Sequence, residues 1–196
     1  MKFRHWLKWK FNPPLVINIS GKARHGKDTF GRFLMYRLKS DYGLKVQRIS
    51  SGDVLKDMTR YPSRSFLQQL GMFLRATRGN DYLISRAFAK YNGADVVIIT
   101  DTRFPNEISY FENAPQVTIR VDRICQDKEP YESDLTPEQK AHPSETALDD
   151  YKFDIHIQAK NVRELKEASE RFAPICYDVW QRGFSIVSSD SYYWYT

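Results

Sequence analysis

The 196-residue chain is long enough for one domain with a sizeable core, and 41% hydrophobic with 28% charged residues excludes a chain disordered throughout. Apolar runs such as Val96 to Ile99 are far too short to span a bilayer, and the start MKFRHWLKWKFNPP is basic and aromatic, unlike a signal peptide. Cys125 and Cys176 offer neither a disulfide framework nor a zinc motif. A net charge of +6 and a pI near 9.2 favour anionic partners, which could be nucleotides, nucleic acid or an acidic membrane surface, and charge alone does not choose among them; a reducing cytoplasm, a host's if the source is viral, is the simplest compartment.

Residues 1–14 read as a basic aromatic arm, either solvated or a contact in a homodimer, ahead of a domain over 15–175. LVINIS (15–20) is a short β-branched run that suits a buried parallel strand and ends at a glycine loop. Phe30, Phe33, Leu34 and Leu38 then recur at helical spacing. LKVQRIS (44–50) predicts a second strand, and helical patterns follow over 65–77 and around Leu83 to Tyr91. ADVVIIT (94–100) is the clearest buried strand, QVTIRV (116–121) a fourth and FDIHI (153–157) a fifth. A last helix has Asn161 as N-cap, Glu164 in capping-box position and Val162, Leu165, Ala168 and Phe172 on one face. Strands alternating with helices predict a three-layer α/β fold, its mainly parallel five-stranded sheet covered on both faces. The polar stretch 122–150 interrupts this rhythm as a lid or a long connection. The tail 176–196 packs on or extends the domain, as a closing strand or a docked aromatic segment.

The chemistry concentrates in a few stretches. SGKARHGKDTF (20–30) approaches the phosphate-binding pattern GxxxxGK[ST], in which loop amides, a helix N-terminus and a lysine hold phosphate oxygens. Gly21, Lys22, Gly26 and Lys27 fit it, but Asp28 stands where the hydroxyl belongs and Thr29 comes one position late. A carboxylate beside polyphosphate is repelled unless a cation lies between, so Asp28 makes sense as a support for Mg²⁺. The alternative is a helix N-terminus effect of roughly 0.3–1 kcal/mol. In VVIITDTRFPNE (96–107), Asp101 ends a buried strand where open α/β sheets bind ligands and is placed to support the metal. Arg103 is placed for a phosphate, and Glu107 for holding that arginine or for a sugar or base; a surface turn with a salt bridge is the plainer reading. Arg64, Gln68, Arg75 and Arg78 suit an acceptor-phosphate and base pocket, or else a solvated helix face. His142 and Glu145 are too few for a zinc site.

Taken in this order, the pieces resemble the bacteriophage deoxynucleoside monophosphate kinase family, a branch of the phosphate-loop nucleotide kinases. The likeness rests on GxxxxGKDT at Gly21 to Thr29, SSGDVLKDM at Ser50 to Met58, RxxLQxxG at Arg64, Leu67, Gln68 and Gly71, DxRFPNE at Asp101 to Glu107, and HxSE at His142, Ser144 and Glu145. Met72 stands where the family carries threonine. The resemblance implies the phosphate-loop NTPase fold and transfer of the γ-phosphate of ATP to a deoxynucleoside monophosphate with Mg²⁺. Arg64, Gln68, Arg103 and Glu107 would line the acceptor site. On this reading the loop and Lys27 hold ATP, Asp28, Thr29 and Asp101 organise Mg²⁺, and Arg103, helped by Arg64 or Arg75, neutralises the transferred charge. The rivals are a kinase for another small phosphorylated acceptor and, from the arm Lys2 to Lys10, a nucleotide-regulated nucleic-acid-binding protein.

Overall fold

The computed structural model describes Trp9, residues 12–60 and 63–183, and the backbone of Tyr192–Trp194. Six strands, β1 (Leu15–Ser20), β2 (Val46–Ile49), β3 (Val96–Ile99), β4 (Gln116–Arg123), β5 (Ile155–Ala159) and β6 (Tyr192–Trp194), form one sheet in the order β2-β3-β1-β4-β5-β6. Every neighbouring pair is parallel.

Alternation along the strands builds two cores. Leu15, Ile17 and Ile19 face α1 (Lys27–Ser40) through Phe30, Leu34 and Leu38, and Val96, Ile98, Val117 and Ile119 join them beneath α8 (Val162–Arg182). Val16, Val97 and Ile99 face the other way, onto Val54 of α2 (Ser51–Asp57) and onto Leu83, Ile84, Ala87 and Phe88 of α4 (Tyr82–Phe88). Each fully buried aliphatic side chain contributes about 1.5–3 kcal/mol. The result is a three-layer α/β fold. Trp9 packs edge-on against Phe88 with ring centroids 4.8 Å apart, so the second core also anchors the arm. The rest of residues 1–11, and with it the basic run proposed for nucleic acid, lies outside the described residues.

Three expectations need correction. The sheet has six strands rather than five, because the tail adds β6 to the exposed edge of β5; residues 184–191 and 195–196 lie outside the described residues. The fifth strand is shifted by two residues, since Asp154 turns its carboxylate onto the Thr118 amide and hydroxyl, both at 2.8 Å, and extended pairing begins after it. No boundary falls at 175/176. The last helix runs on to Arg182, with Cys176 and Val179 continuing its buried stripe beyond Pro174, which lacks an amide but leaves the helix unbroken. Its N-cap is Asn161, whose side chain accepts from the Glu164 amide at 3.1 Å, while Glu164 reaches back one residue further, to the Lys160 amide at 2.6 Å.

The topology locates a crevice. The chain leaves β1 towards β2 at one edge, whereas from β3 it crosses past β1 to β4. Open α/β sheets bind ligands where consecutive connections diverge in this way, outside the strand carboxyl ends. The segment 122–150 lies over this end and carries two short helices, α6 (Pro137–Lys140) and α7 (Pro143–Thr146). Between the flanks sit α3 (Arg64–Arg78), with only Gly71 and Arg75 buried, and α5 (Pro105–Ser109). Among the described residues no helix is long and apolar enough to cross a membrane.

Gly21 holds the exit of β1 against β4: its φ is 150°, and a Cβ there would lie 2.3 Å from the Val121 carbonyl oxygen. Gly21→Ala is therefore expected to cost roughly 1–3 kcal/mol, read as a lowered midpoint in thermal or denaturant unfolding.

Candidate functional site

The glycine loop, residues 21–26, leads straight into α1, whose N-cap Gly26 adopts a left-handed φ of 87°. Among the described residues, the amides of Arg24, Gly26, Lys27, Asp28 and Thr29 have no hydrogen-bond acceptor in the protein. A helix N-terminus leaves such donors by construction, and they present partial positive charge to an anion. Lys27 is buried, and its nearest carboxylate oxygen, on Asp28, is 3.9 Å away. Burial, then the nearby Arg103 charge, pushes its ammonium down to about 8, against the pull of Asp28, Asp101 and Glu145.

Asp101 follows β3. Its Oδ2 accepts from the Ser50 hydroxyl at 2.8 Å and the Gly52 amide at 2.6 Å, and a Cβ on Gly52 would come within 2.9 Å of that oxygen. Asp101 Oδ1 and the Ser51 hydroxyl are buried without partners among the described residues. Beside them Arg48 donates to Thr100 Oγ1 at 3.0 Å and Asp53 at 2.6 Å, and lies 3.7 Å from Asp28.

Two buried carboxylates organise the arginines. Glu107 takes Arg75 at 2.6 Å on Oε1 and the Arg103 and Phe104 amides at 2.7 and 3.2 Å on Oε2. The Arg75 guanidinium also stacks on the Phe104 ring, 3.9 Å from its centroid. Burial pushes the Glu107 carboxyl up, opposed by Arg75 and the two amides. Glu145, at the helix that follows His142, takes Arg64 at 2.6 Å and Arg103 at 3.1 Å on Oε1 and the Ala23 amide at 3.0 Å on Oε2. Burial alone would raise its carboxyl, but Arg103, Arg64 and that amide together hold it below the usual carboxylate range. His142 caps the same helix, its Nδ1 accepting from the Ser144 amide at 3.1 Å.

Of the residues singled out in the sequence, Lys27, Asp28, Arg64, Gln68, Arg75, Asp101, Arg103 and Glu107 line one cavity of about 290 Å³. Gly21, Lys22, Gly26, Thr29 and Arg78 do not join them. Thr29 opens on a separate cavity of about 220 Å³ with Arg24, Arg123 and Asn161, and Lys22 pairs with Asp149 at 3.3 Å beside a third, of about 380 Å³. The set Asp28, Thr29 and Asp101 is thus not brought together, because adjacent helical residues point about 100° apart. Among the described residues no cluster of three or more His, Cys, Asp or Glu could hold a metal. Glu107 holds the backbone of residue 103 and the guanidinium of Arg75, not the Arg103 side chain. Gln68 donates to the Gln139 carbonyl at 3.3 Å. Sequence reasoning missed Arg48 and Ser51 and gave Glu145 no task. A charged residue inside the short strand VQRI was the available signal for Arg48.

No protein-family model matches the chain, and no curated protein does. Among solved structures it is similar to the crystal structure of APE1195, at 12% identity and a TM-score of 0.40, over 85% of this chain and 97% of that one.

The Arg75–Glu107 pair has only 7% and 2% of its side-chain surfaces exposed, so removing one partner strands a buried charge. Glu107→Gln is expected to cost about 3–5 kcal/mol in denaturant unfolding, and Arg75→Met combined with Glu107→Leu to recover most of it.

Proposed function

We propose that the protein is an ATP-dependent deoxynucleoside monophosphate kinase that works with Mg²⁺. The observation that carries this reading is the union of unpartnered loop amides with a buried, loosely paired Lys27, opening on a cavity that Arg64 and Arg103 also line. Donor phosphates would take the amides and the Lys27 ammonium. The cavity of Thr29, Arg123 and Asn161, on the other flank of the same loop, suits the donor nucleoside.

The residues present fit a magnesium ion. Asp101 Oδ1 is buried with no partner among the described residues, and Asp28 is 57% exposed beside Lys27. Mg²⁺ usually takes one or two carboxylates and completes its shell with phosphate and water, so two carboxylates suffice. Asp101 and Asp28 would hold the ion, which would supply positive charge to offset that of the phosphates. Asp101 is held in orientation by Ser50 and Gly52. Arg64 and Arg103 would neutralise the acceptor phosphate, and such transfer relies on positioning and electrostatics rather than a strong base. The segment 122–150 would exclude water, since it reaches the loop through Asp149 on Lys22, Asp134 on Arg24 and Glu145 on Ala23.

The test is ADP release measured with each deoxynucleoside monophosphate in turn, with other phosphorylated acceptors and single-stranded DNA alongside. Stimulation by at least one monophosphate supports the reading; stimulation by DNA alone overturns it. Lys27→Ala is expected to weaken nucleotide binding and lower kcat, and Asp28→Asn to lower kcat about tenfold with a smaller effect on nucleotide affinity. Lys27 must be charged to hold phosphate, so nucleotide affinity should fall as the pH rises through about 8, and binding near that pH should take up a proton, measurable by calorimetry in buffers of different ionisation enthalpy.

A further inference from the structure

Glu145 is a buried carboxylate on which four separate parts of the chain converge. Its Oε1 accepts from Arg64 of α3 and forms an ion pair with Arg103 beyond β3 at 3.1 Å, its Oε2 accepts from the Ala23 amide of the glycine loop, and the residue itself belongs to the segment 122–150. Arg103 is further tied to the Gly21 and Ser144 carbonyls at 3.3 and 3.2 Å. Two guanidinium groups sharing one oxygen would repel each other without the carboxylate between them. Two arginines less one carboxylate leave a net positive charge at the wall of the cavity. Arg64 Nε adds an independent observation: it is buried and has no partner among the described residues, although its neighbour Nη2 is fixed by Glu145. A charged donor left unmade in a buried position is expensive unless a ligand meets it, and the Nε edge of arginine is suited to a phosphate oxygen.

We propose that Glu145 is a positioning residue, which presents Arg64 and Arg103 to the acceptor phosphate and keeps that pair in register with the glycine loop. The proposal rests on the kinase reading. It also means that the acceptor site is complete only when the segment 122–150 sits on the loop, because that segment supplies the carboxylate.

The experiment is steady-state ADP release by wild type, Glu145→Gln, Glu145→Asp and Glu132→Ala, with folding followed by circular dichroism and donor affinity by titration of a non-hydrolysable ATP analogue. Glutamine offers one acceptor oxygen and one donor where two acceptors are needed, so Glu145→Gln should raise the acceptor KM by about tenfold to a hundredfold, the loss of one charge-assisted hydrogen bond. Analogue affinity should change by less than about threefold, a shift well below that loss. Glu145→Asp, which keeps the charge at shorter reach, should fall between and stands in if the glutamine variant does not fold. Glu132→Ala removes an exposed ion pair to Lys140 within the same segment and should leave the acceptor KM unchanged. Folded Glu145 variants with wild-type acceptor KM would overturn the proposal, as would an equal rise in Glu132→Ala. Wild-type protein without acceptor-dependent turnover would instead overturn the kinase reading itself.

Discussion

The close approach of backbone to backbone at Gly21 is the constraint on which the mouth of the sheet depends. A methyl group there would collide with the Val121 carbonyl, and one on Gly26 would come within 2.7 Å of Leu165 on α8. The loop is therefore closed against β4 on one side and α8 on the other, and its turn rests on that packing together with a bond of its own, from the His25 amide to the Lys22 carbonyl at 3.3 Å. That packing lets five amides around the start of α1 stand without protein acceptors among the described residues. An unmade hydrogen bond costs roughly 1–3 kcal/mol when the donor is buried, so the arrangement is tolerable only where water or a ligand reaches it.

Electrostatics at this end of the sheet divides into charges that are consumed and charges that are left over. Glu107 consumes Arg75, and Glu145 is shared between Arg64 and Arg103. Buried pairs of this kind add little net stability, but they fix orientation, since separating them strands a charge. Lys27 is the contrast. Its ammonium, moved from 10.5 to about 8, bears a differential cost of roughly 3 kcal/mol, and among the described residues no tight counter-ion offsets it. A phosphate at the loop would supply that counter-ion.

Much of the architecture was legible because buried parallel strands announce themselves. Val96 to Ile99 and Leu15 to Ile17 are apolar on both faces, and two covered faces require helices on each side. What was not legible depends on partners distant in sequence. Glu145 reads as an ordinary acidic residue until Arg64, Arg103 and Ala23, up to 122 positions away, fold around it. Ser51 and Asp101 Oδ1 stand out because they have no partner among the described residues, and no local pattern encodes an absent partner. The start of β5 was misplaced because Phe153 is buried like a strand residue, yet belongs to a small cluster with Ile108 and Leu148. The last helix outran its expected end because tertiary packing of Cys176 and Val179 outweighs the missing amide of Pro174.

The displaced hydroxyl of the glycine loop is resolved by direction rather than by distance along the chain. One step along a helix turns a side chain by about 100°, which puts Asp28 on the flank with Lys27 and Asp101 and Thr29 on the flank with Asn161. Thr29 is therefore no late substitute for a hydroxyl at position 28, and the flank facing Asp101 has a carboxylate in its place. That carboxylate lies 3.9 Å from Lys27 and 3.7 Å from Arg48, within the field of both cations but in a tight ion pair with neither. Arg48 is itself kept in place by Thr100 and Asp53, so it can offset the added negative charge without binding to it. A helix N-terminus effect alone would ask for no such companion. Asp28 is thus a carboxylate left more than half exposed between two cations, at the edge of a cavity where Asp101 Oδ1 has no partner among the described residues.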